Sequence, residues 1–170
     1  KVVHIPVLLD KVINALSLTK DEVYVDATFG LGGYTKAILK NKNCKVVAID
    51  RDPHAKVFAD SLKESYADRF YFKMGKFSEL GNFLNELKIN EVAGVVFDLG
   101  VSSPQLDIQS RGFSFKLDGP LDMRMSSEGP TADEFLDIVE ENTLANIIFE
   151  FKFLCLYFEN FSYLKNIFSC

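Results

Sequence analysis

The sequence predicts an α/β fold, a parallel sheet with helices on both faces, from two observations. Over the first hundred residues, short apolar runs of strand length alternate with segments that carry apolar residues at helical spacing. The strand-like runs are apolar on both faces, as expected when helices cover both sides of a sheet. Ligands of such sheets bind beyond the carboxyl ends of the strands, so the residues that follow each strand are the candidates for a functional site.

The elements can be assigned in chain order from these two patterns. The predicted series is a helix at 7–16, a strand at 22–28, a helix at 34–41, a strand at 45–52, a helix at 53–69, a strand at 70–74, a helix at 77–89 and a strand at 92–100. Pro53 suits the first turn of its helix, where no backbone N–H is needed. Gly81 is a mild interruption of the fourth helix. The order gives four strands with a helix between each pair.

The texture of the sequence changes after Gly100. Residues 101–131 are rich in Gly, Ser, Pro and Asp, which is typical of a long loop. Loops of that length are functional or disordered, and the aromatic and apolar content favours an ordered, functional loop. A helix or helix pair is predicted at 132–151, with Thr131 as its N-terminal cap.

Composition and charge narrow the functional classes. Cys44, Cys155 and Cys170 are scattered and, with His4 and His54, show no zinc-ligand spacing, so no metal site is predicted. No apolar run approaches the roughly 18 residues of a membrane-spanning helix, and no secretory signal is recognisable, so a cytoplasmic protein is expected. The net charge of −5 argues against a large non-specific nucleic-acid surface, and no DNA partner is expected. A specific RNA held by a few cations remains compatible with it.

The first strand runs into a glycine-rich turn. Gly30, Gly32 and Gly33 form G-x-G-G, and Thr35 stands where the dinucleotide fingerprint has its third glycine. An acidic strand end, here Asp26, followed by G-x-G is the version that S-adenosylmethionine enzymes use. Glycines let the backbone approach a ligand with no Cβ in the way. A tight loop without a ligand is the alternative for the turn taken alone.

Three carboxylates follow strands of the predicted sheet. Asp26 could meet a ligand ammonium, Asp50 could accept hydrogen bonds from two ribose hydroxyls, and Asp98 would lie beside the reactive centre. Each residue taken alone could be a helix cap or a loop residue. Their occurrence at one edge of one sheet favours a nucleoside ligand, with a methyl donor ahead of a dinucleotide.

Two later stretches carry a resemblance to a known family. DLGVSSPQLD (98–107) and RGFSFKLDGPLDMRM (111–125) closely resemble the MraW (RsmH) family of small-subunit ribosomal RNA methyltransferases. HIPVLLDKVINAL, VDATFGLGGYTKAIL and AIDRDP also look like that family's, in the same order, so the resemblance covers residues 4–151. It implies a Rossmann-like class I fold, S-adenosyl-L-methionine as cofactor, and methylation of the N4 amino group of a cytidine in the decoding centre of 16S rRNA. The small ribosomal subunit is the implied partner, and a homodimer is compatible.

The resemblance also implies site residues. Donor contacts are expected at Gly32, Gly33, Tyr34, Asp50, Phe77, Asp98 and Gln105. The residues alone had already indicated the glycines and two of the carboxylates. Without the resemblance, Phe77 would be interpreted as an aromatic residue of the core and Gln105 as a polar loop residue.

Catalysis and RNA contact are expected after strand four. Asp98 is the candidate acceptor for an amino proton, although the sequence has DLGVSS where many amino-methylating enzymes have a D/N-P-P-aromatic motif. Arg111 and Arg124 could hold RNA phosphates, and Phe113 and Phe115 could stack on bases. The alternative for the phenylalanines is that they anchor the loop to the core.

The predicted organisation is a donor-binding core at 1–106, a family-specific loop with the start of an inserted helical subdomain at 107–151, and a divergent tail at 152–170. The sheet is expected to be incomplete at the C-terminus, with strand four as an apolar edge. Three functions remain: an RNA cytidine methyltransferase whose truncated form could be inactive, a donor-binding remnant without catalysis, and, least favoured, an NAD-dependent oxidoreductase.

Overall fold

The computed structural model describes residues 6, 8–41 and 43–159, the last nine of these without their side chains. The chain divides into two compact units, Lys1–Gly129 and Pro130–Cys170. Predictions that concern His4, Cys170 and the side chain of Cys155 lie outside the described residues. The functional boundaries after residues 106 and 151 stay predictions.

The first unit contains a four-stranded parallel sheet in the order β3-β2-β1-β4. Its strands are β1 Val23–Asp26, β2 Lys45–Asp50, β3 Phe70–Met74 and β4 Gly94–Val96. This order matches one side and the centre of a doubly wound Rossmann-like sheet, and the predicted fold class is confirmed. All four strands end at the same edge, where their following turns meet.

Helices cover both faces of this sheet. They are α1 Leu9–Leu16, α2 Gly33–Leu39, α3 Ala55–Tyr66 and α4 Leu80–Glu86, the last preceded by a 3₁₀ turn at Phe77–Glu79. Alternate strand residues feed two separate cores: Val46 and its neighbours pack with α2 and α3, whereas Val47 and its neighbours pack with α4. The two-faced apolar pattern of the strands therefore has the predicted cause.

The fourth strand is shorter than the predicted 92–100. The backbone N–H of Asp98 donates to the Thr28 hydroxyl at 2.7 Å instead of continuing the ladder. In the described sheet β4 pairs with β1 alone and forms an edge, and Phe97 and Leu99 just beyond it are exposed. The predicted edge position of strand four is confirmed.

The long loop contains two short helical elements that the sequence did not predict. Helix α5 spans Ser103–Asp107, and a 3₁₀ turn follows at Gln109–Arg111. The Ser102 N–H donates to the Gln105 side chain at 2.9 Å, which closes the first turn of α5. This capping box starts a short helix in a Gly- and Pro-rich stretch whose composition predicts a loop, which explains why the helix was not predicted.

The second unit begins with the predicted helix pair. Helix α6 spans Ala132–Ile138 and α7 spans Glu141–Glu159. The Glu134 N–H donates to the Thr131 hydroxyl at 3.1 Å, so the predicted cap is confirmed. In the part of the chain that the structure describes, no helix has both the length and the apolarity to cross a membrane.

Candidate functional site

A cavity of about 500 Å³ opens at the carboxyl ends of the strands. Its size lies in the usual range for small-molecule and cofactor sites. The lining comes from the turns after all four strands together with two outlying residues: 27–31, 33–34, 50–52, 54–55, 75–78, 98–105, Pro6 and Met125. Among the residues described, no group of three or more His, Cys, Asp or Glu side chains could hold a metal ion.

The three glycines of the turn between β1 and α2 have different surroundings. Gly30 has φ +54° and lines the cavity, and a Cβ there would meet only the Thr28 carbonyl, at 4.0 Å. Gly32 has φ +74° and does not line the cavity, and a Cβ there would lie 2.8 Å from the Phe29 ring. Gly33 lines the cavity under Pro6. Gly30 thus offers bare backbone to a ligand, whereas Gly32 fits the turn against the core and the Pro6 ring packs closely over Gly33.

Asp26 is buried beneath the glycine turn and stabilises it through hydrogen bonds. Its side chain is 0% exposed, and its Oδ2 accepts hydrogen bonds from the Thr35 hydroxyl at 2.7 Å and the Thr35 N–H at 3.2 Å. Burial raises the pKa of Asp26 to about 6. Asp26 does not line the cavity, so the direct ligand contact considered from the sequence is not available to it. Thr35, at the position of the third glycine in the dinucleotide fingerprint, donates its hydroxyl to this carboxyl.

Asp50 brings a carboxylate to the cavity at the end of β2. Its Oδ2 accepts the Gly30 N–H at 2.6 Å, and its Oδ1 accepts the Asp52 N–H at 2.8 Å. Burial raises the pKa of Asp50, and these two hydrogen bonds oppose the rise. A carboxylate has about four acceptor positions, so these hydrogen bonds leave acceptor capacity for hydroxyl groups of a ligand.

The other predicted donor residues surround the same cavity. Phe77 lines it and packs edge-on against Phe97, with 5.5 Å between ring centroids. Tyr34 also lines it, and the pKa of its hydroxyl is raised by burial and further by the carboxylates of Asp98 and Asp26. Six of the seven predicted donor residues line the cavity: Gly33, Tyr34, Asp50, Phe77, Asp98 and Gln105. The donor contacts themselves, and that of Gly32, stay predictions.

A buried ion pair that sequence reasoning missed connects the long loop to the end of β2. The Arg111 Nη2 lies 2.9 Å from the Asp52 Oδ2, and its Nη1 lies 3.2 Å from the Oδ1. Burial alone would raise the pKa of Asp52, but hydrogen bonds from Arg111, the His54 N–H and Gln105 hold it below its usual range. No spacing rule links positions 52 and 111, so the sequence held no signal for this pair. The predicted phosphate contact of Arg111 gains no support, because its guanidinium is enclosed.

The remaining RNA candidates differ in accessibility. Phe113 is half-buried and its ring lies 5.9 Å from the Arg111 guanidinium carbon, whereas Phe115 is fully exposed. The Arg124 Nη2 lies 2.6 Å from the Asp122 Oδ2. The anchoring role considered for both phenylalanines therefore fits Phe113 and does not fit Phe115. A base-stacking role is open to Phe115.

The family model and the curated relatives that match this chain agree with each other. A family model described as the MraW methylase family matches residues 1–153. The ribosomal RNA small subunit methyltransferase H of Ehrlichia canis is 49% identical over 149 residues, which cover 87% of this chain and 50% of that one. The enzyme of the same name from Rickettsia bellii is 49% identical over 148 residues, covering 87% and 48%. The chain spans about half the length of these curated relatives.

Solved structures resemble the chain only over part of its length. A putative transferase from Pyrococcus horikoshii shares 23% identity, covering 47% of this chain and 32% of that one, with a TM-score of 0.39. A likeness at that level adds nothing to the argument about function.

Proposed function

Because the chain belongs to the MraW methylase family, we propose that it binds S-adenosyl-L-methionine and serves methyl transfer to the N4 amino group of a cytidine in the decoding centre of small-subunit (16S) ribosomal RNA. Donor binding is supported by the cavity at the strand ends, where the bare backbone of Gly30 lies beside the carboxylate of Asp50. The relatives' names support small-subunit rRNA as the substrate, and the base and position follow from the family resemblance. The reaction would take place in the cytoplasm, where ribosomal subunits are found.

The lining fits a methyl donor better than a dinucleotide. Gly30 leaves room for a ligand against the backbone, and the remaining acceptor capacity of the Asp50 carboxylate suits ribose hydroxyls. The exposed ring of Phe77 offers a flat apolar surface to an adenine. Thr35 stands where the dinucleotide fingerprint has its third glycine, and its hydroxyl donates to Asp26, so the turn departs from the dinucleotide pattern.

The protein's part in the reaction is orientation and acceptance of a proton. The donor supplies a methyl group on an electrophilic sulfonium. The N4 amine of cytosine is a weak nucleophile because its lone pair is delocalised into the ring. Asp98 lies at the cavity wall with an exposed side chain, where its carboxylate would accept an N–H from the amine and localise that lone pair. Alignment at roughly 3–3.5 Å would supply most of the remaining rate enhancement.

Donor binding is tested by calorimetry with S-adenosylhomocysteine and, separately, with NAD. We expect saturable binding of S-adenosylhomocysteine and none of NAD, because the glycine turn lacks the third glycine of the dinucleotide fingerprint. Binding of NAD without binding of S-adenosylhomocysteine would instead support an NAD-dependent oxidoreductase. Absence of S-adenosylhomocysteine binding by the folded chain would contradict the proposal.

Methyl transfer is tested with labelled S-adenosylmethionine and small ribosomal subunits that lack the modification. We expect label in rRNA that digests to N4-methylated cytidine. Binding of S-adenosylhomocysteine without any transfer would instead support the donor-binding remnant. Methyl transfer to another base or to protein would agree with S-adenosylmethionine as the donor but would refute the N4 amino group of cytidine as the acceptor.

A further inference from the structure

We propose that Arg111 is a positioning residue for donor binding, which docks the 101–125 loop onto Asp52 and thereby builds one wall of the donor cavity. The inference rests on the proposed donor binding and adds a residue that does not itself line the cavity. Its basis is the arrangement of charges and hydrogen bonds between the loop and the end of β2.

The ion pair is buried on both sides. The side chain of Arg111 is 8% exposed and that of Asp52 is 6% exposed. Asp52 directly follows the Asp50–Arg51 turn and lines the cavity, so whatever holds Asp52 is coupled to the position of Asp50. A buried charge that loses its partner is strongly unfavourable, so the loop cannot leave Asp52 without a substantial cost.

The same carboxylate orients a cavity-lining amide. The Gln105 Nε2 donates to the Asp52 Oδ2 at 2.8 Å, beside the Arg111 Nη2 at 2.9 Å from the same oxygen. The Gln105 Oε1 accepts the Ser102 N–H at 2.9 Å, so both ends of the amide are engaged. Gln105 is buried and lines the cavity. Arg111 and Gln105 thus share one anchor, and loss of Arg111 would leave Gln105 as the carboxylate's remaining contact from the loop.

The loop behaves as one block that Arg111 attaches to the sheet. The Arg111 Nη2 also donates to the carbonyls of Arg124 at 3.0 Å and Met125 at 3.2 Å, and the Met123 N–H donates to the Arg111 carbonyl at 3.0 Å. A Cβ at Gly112 would collide with the Pro120 carbonyl, so the chain crosses itself closely there. Met125 lines the cavity. One guanidinium therefore holds Asp52 and the far end of the loop together.

This geometry requires that loop docking and donor binding support each other. A ligand that contacts the loop wall favours the docked loop, and by thermodynamic reciprocity the docked loop favours the ligand by the same factor. Variants that release the loop should lower donor affinity even though the altered residue is not in contact with the donor.

The experiment measures the Kd of S-adenosylhomocysteine by calorimetry for the wild-type chain, Arg111→Met and Arg111→Lys. Methionine keeps the apolar stem and removes the charge. Lysine keeps a charge for Asp52 but cannot grip the carboxylate and two carbonyls together, so it protects the fold if Arg111→Met does not fold. We expect Kd to rise about tenfold or more in both variants, at a temperature where circular dichroism shows them folded.

The matched control is Arg69→Met. The Arg69 Nη1 likewise donates to two backbone carbonyls, those of Leu39 and Cys44. However, Arg69 precedes β3 and so lies at the amino-terminal ends of the strands, and it does not line the cavity at their carboxyl ends. Its loss should lower thermal stability and leave Kd within about twofold, because a purely structural arginine does not act on the donor. A Kd that rises equally in Arg69→Met and the Arg111 variants would refute a specific role for Arg111.

Amide hydrogen exchange without ligand supplies a second measurement. Exchange in 101–125 should be faster in Arg111→Lys than in the wild type, while exchange in β1 and β2 stays the same. Unchanged exchange in the loop, or an unchanged Kd in a folded Arg111 variant, would overturn the inference and leave the proposed function standing. Failure of the wild-type chain to bind S-adenosylhomocysteine would overturn the proposed function and this inference with it.

Discussion

The carboxylate of Asp50 accepts a 2.6 Å hydrogen bond from the backbone N–H of Gly30 and so ties the end of β2 to the turn after β1. The two residues that the sequence marks for a nucleoside ligand are thereby held in one fixed relation. A ligand that contacts both residues would meet a preformed surface, which reduces the ordering cost of binding.

The first prediction concerns the charge of Asp50. Asp50→Asn should raise the Kd of S-adenosylhomocysteine about tenfold to a hundredfold, because hydrogen bonds to a charged group contribute about 1.5–3 kcal/mol and an amide has one acceptor oxygen in place of two. Calorimetry measures the change. Asp60→Asn, on the exposed side of α3, is the control and should leave Kd unchanged. Equal affinities for Asp50→Asn and the wild type would remove Asp50 from the donor site.

The second prediction separates two glycines of the same turn. An alanine at either position adopts a left-handed backbone, which costs about 1–2 kcal/mol. Gly30→Ala adds a methyl group that meets little protein, so donor affinity should fall more than stability does. Gly32→Ala adds a methyl group 2.8 Å from the Phe29 ring, so stability should fall more than donor affinity does.

Thermal unfolding and calorimetry on both variants decide between these patterns. The reverse pattern, with Gly32→Ala folded normally and unable to bind the donor, would show that the turn reaches the ligand through Gly32. That result would favour the contact implied by the family resemblance over the one indicated by the cavity.

Local patterns predicted the fold and the place of the site. Strand periodicity, with a helix after each strand, gives a parallel sheet, and the carboxyl ends of parallel strands meet at one edge. Asp50 and Gly30 could therefore be placed together from the sequence. The burial of Asp26 under Thr35 and the pairing of Asp52 with Arg111 could not, because both depend on which way a side chain turns after a strand or on contacts across an irregular loop. No periodicity encodes either choice.

The third prediction concerns the exposed aromatic residue of the loop. Phe115→Ala should weaken binding of a small-subunit rRNA fragment, because stacking of a base on an aromatic side chain contributes about 1–3 kcal/mol. Thermal stability should be unchanged, since the Phe115 side chain is fully exposed. Phe113→Ala is the comparison, and it should lower stability because Phe113 packs against Arg111. If Phe115→Ala binds the RNA fragment as tightly as the wild type, Phe115 does not contribute to RNA binding.

The fourth prediction tests Asp98 as proton acceptor. Asp98→Ala should lower the rate of methyl transfer to rRNA about a hundredfold or more, as expected for loss of a general base. The rate is measured at saturating donor, because Asp98 is also an expected donor contact and its loss could raise the Kd of S-adenosylhomocysteine. The backbone hydrogen bond of Asp98 to Thr28 does not need the carboxylate, so the fold should be kept. Asp107→Ala, exposed in α5, is the control. Intact donor binding with an unchanged transfer rate would eliminate the catalytic role, whereas lost donor binding would assign Asp98 to the donor.

The last prediction follows from the buried carboxyl of Asp26. Its pKa is raised from an ordinary value of 3.8 to about 6 by burial, so the folded protein binds a proton there more tightly than the unfolded chain does. The resulting stabilisation is present below pH 3.8 and is lost as the pH rises through about 6. Between pH 4 and pH 7 it should remove about 2–3 kcal/mol from the free energy of unfolding.

Asp26→Asn isolates this contribution, because the amide cannot titrate and its oxygen can still accept the Thr35 hydrogen bonds. Urea unfolding of both proteins should show that the wild-type free energy of unfolding, less that of Asp26→Asn, decreases from pH 4 to pH 7. Asp52 and Asp122, whose pKa values are lowered, contribute in the opposite direction but equally in both proteins, so they cancel in the difference. A difference that stays flat over this range would mean that the carboxyl of Asp26 reaches solvent, and the glycine turn would then rest on another support.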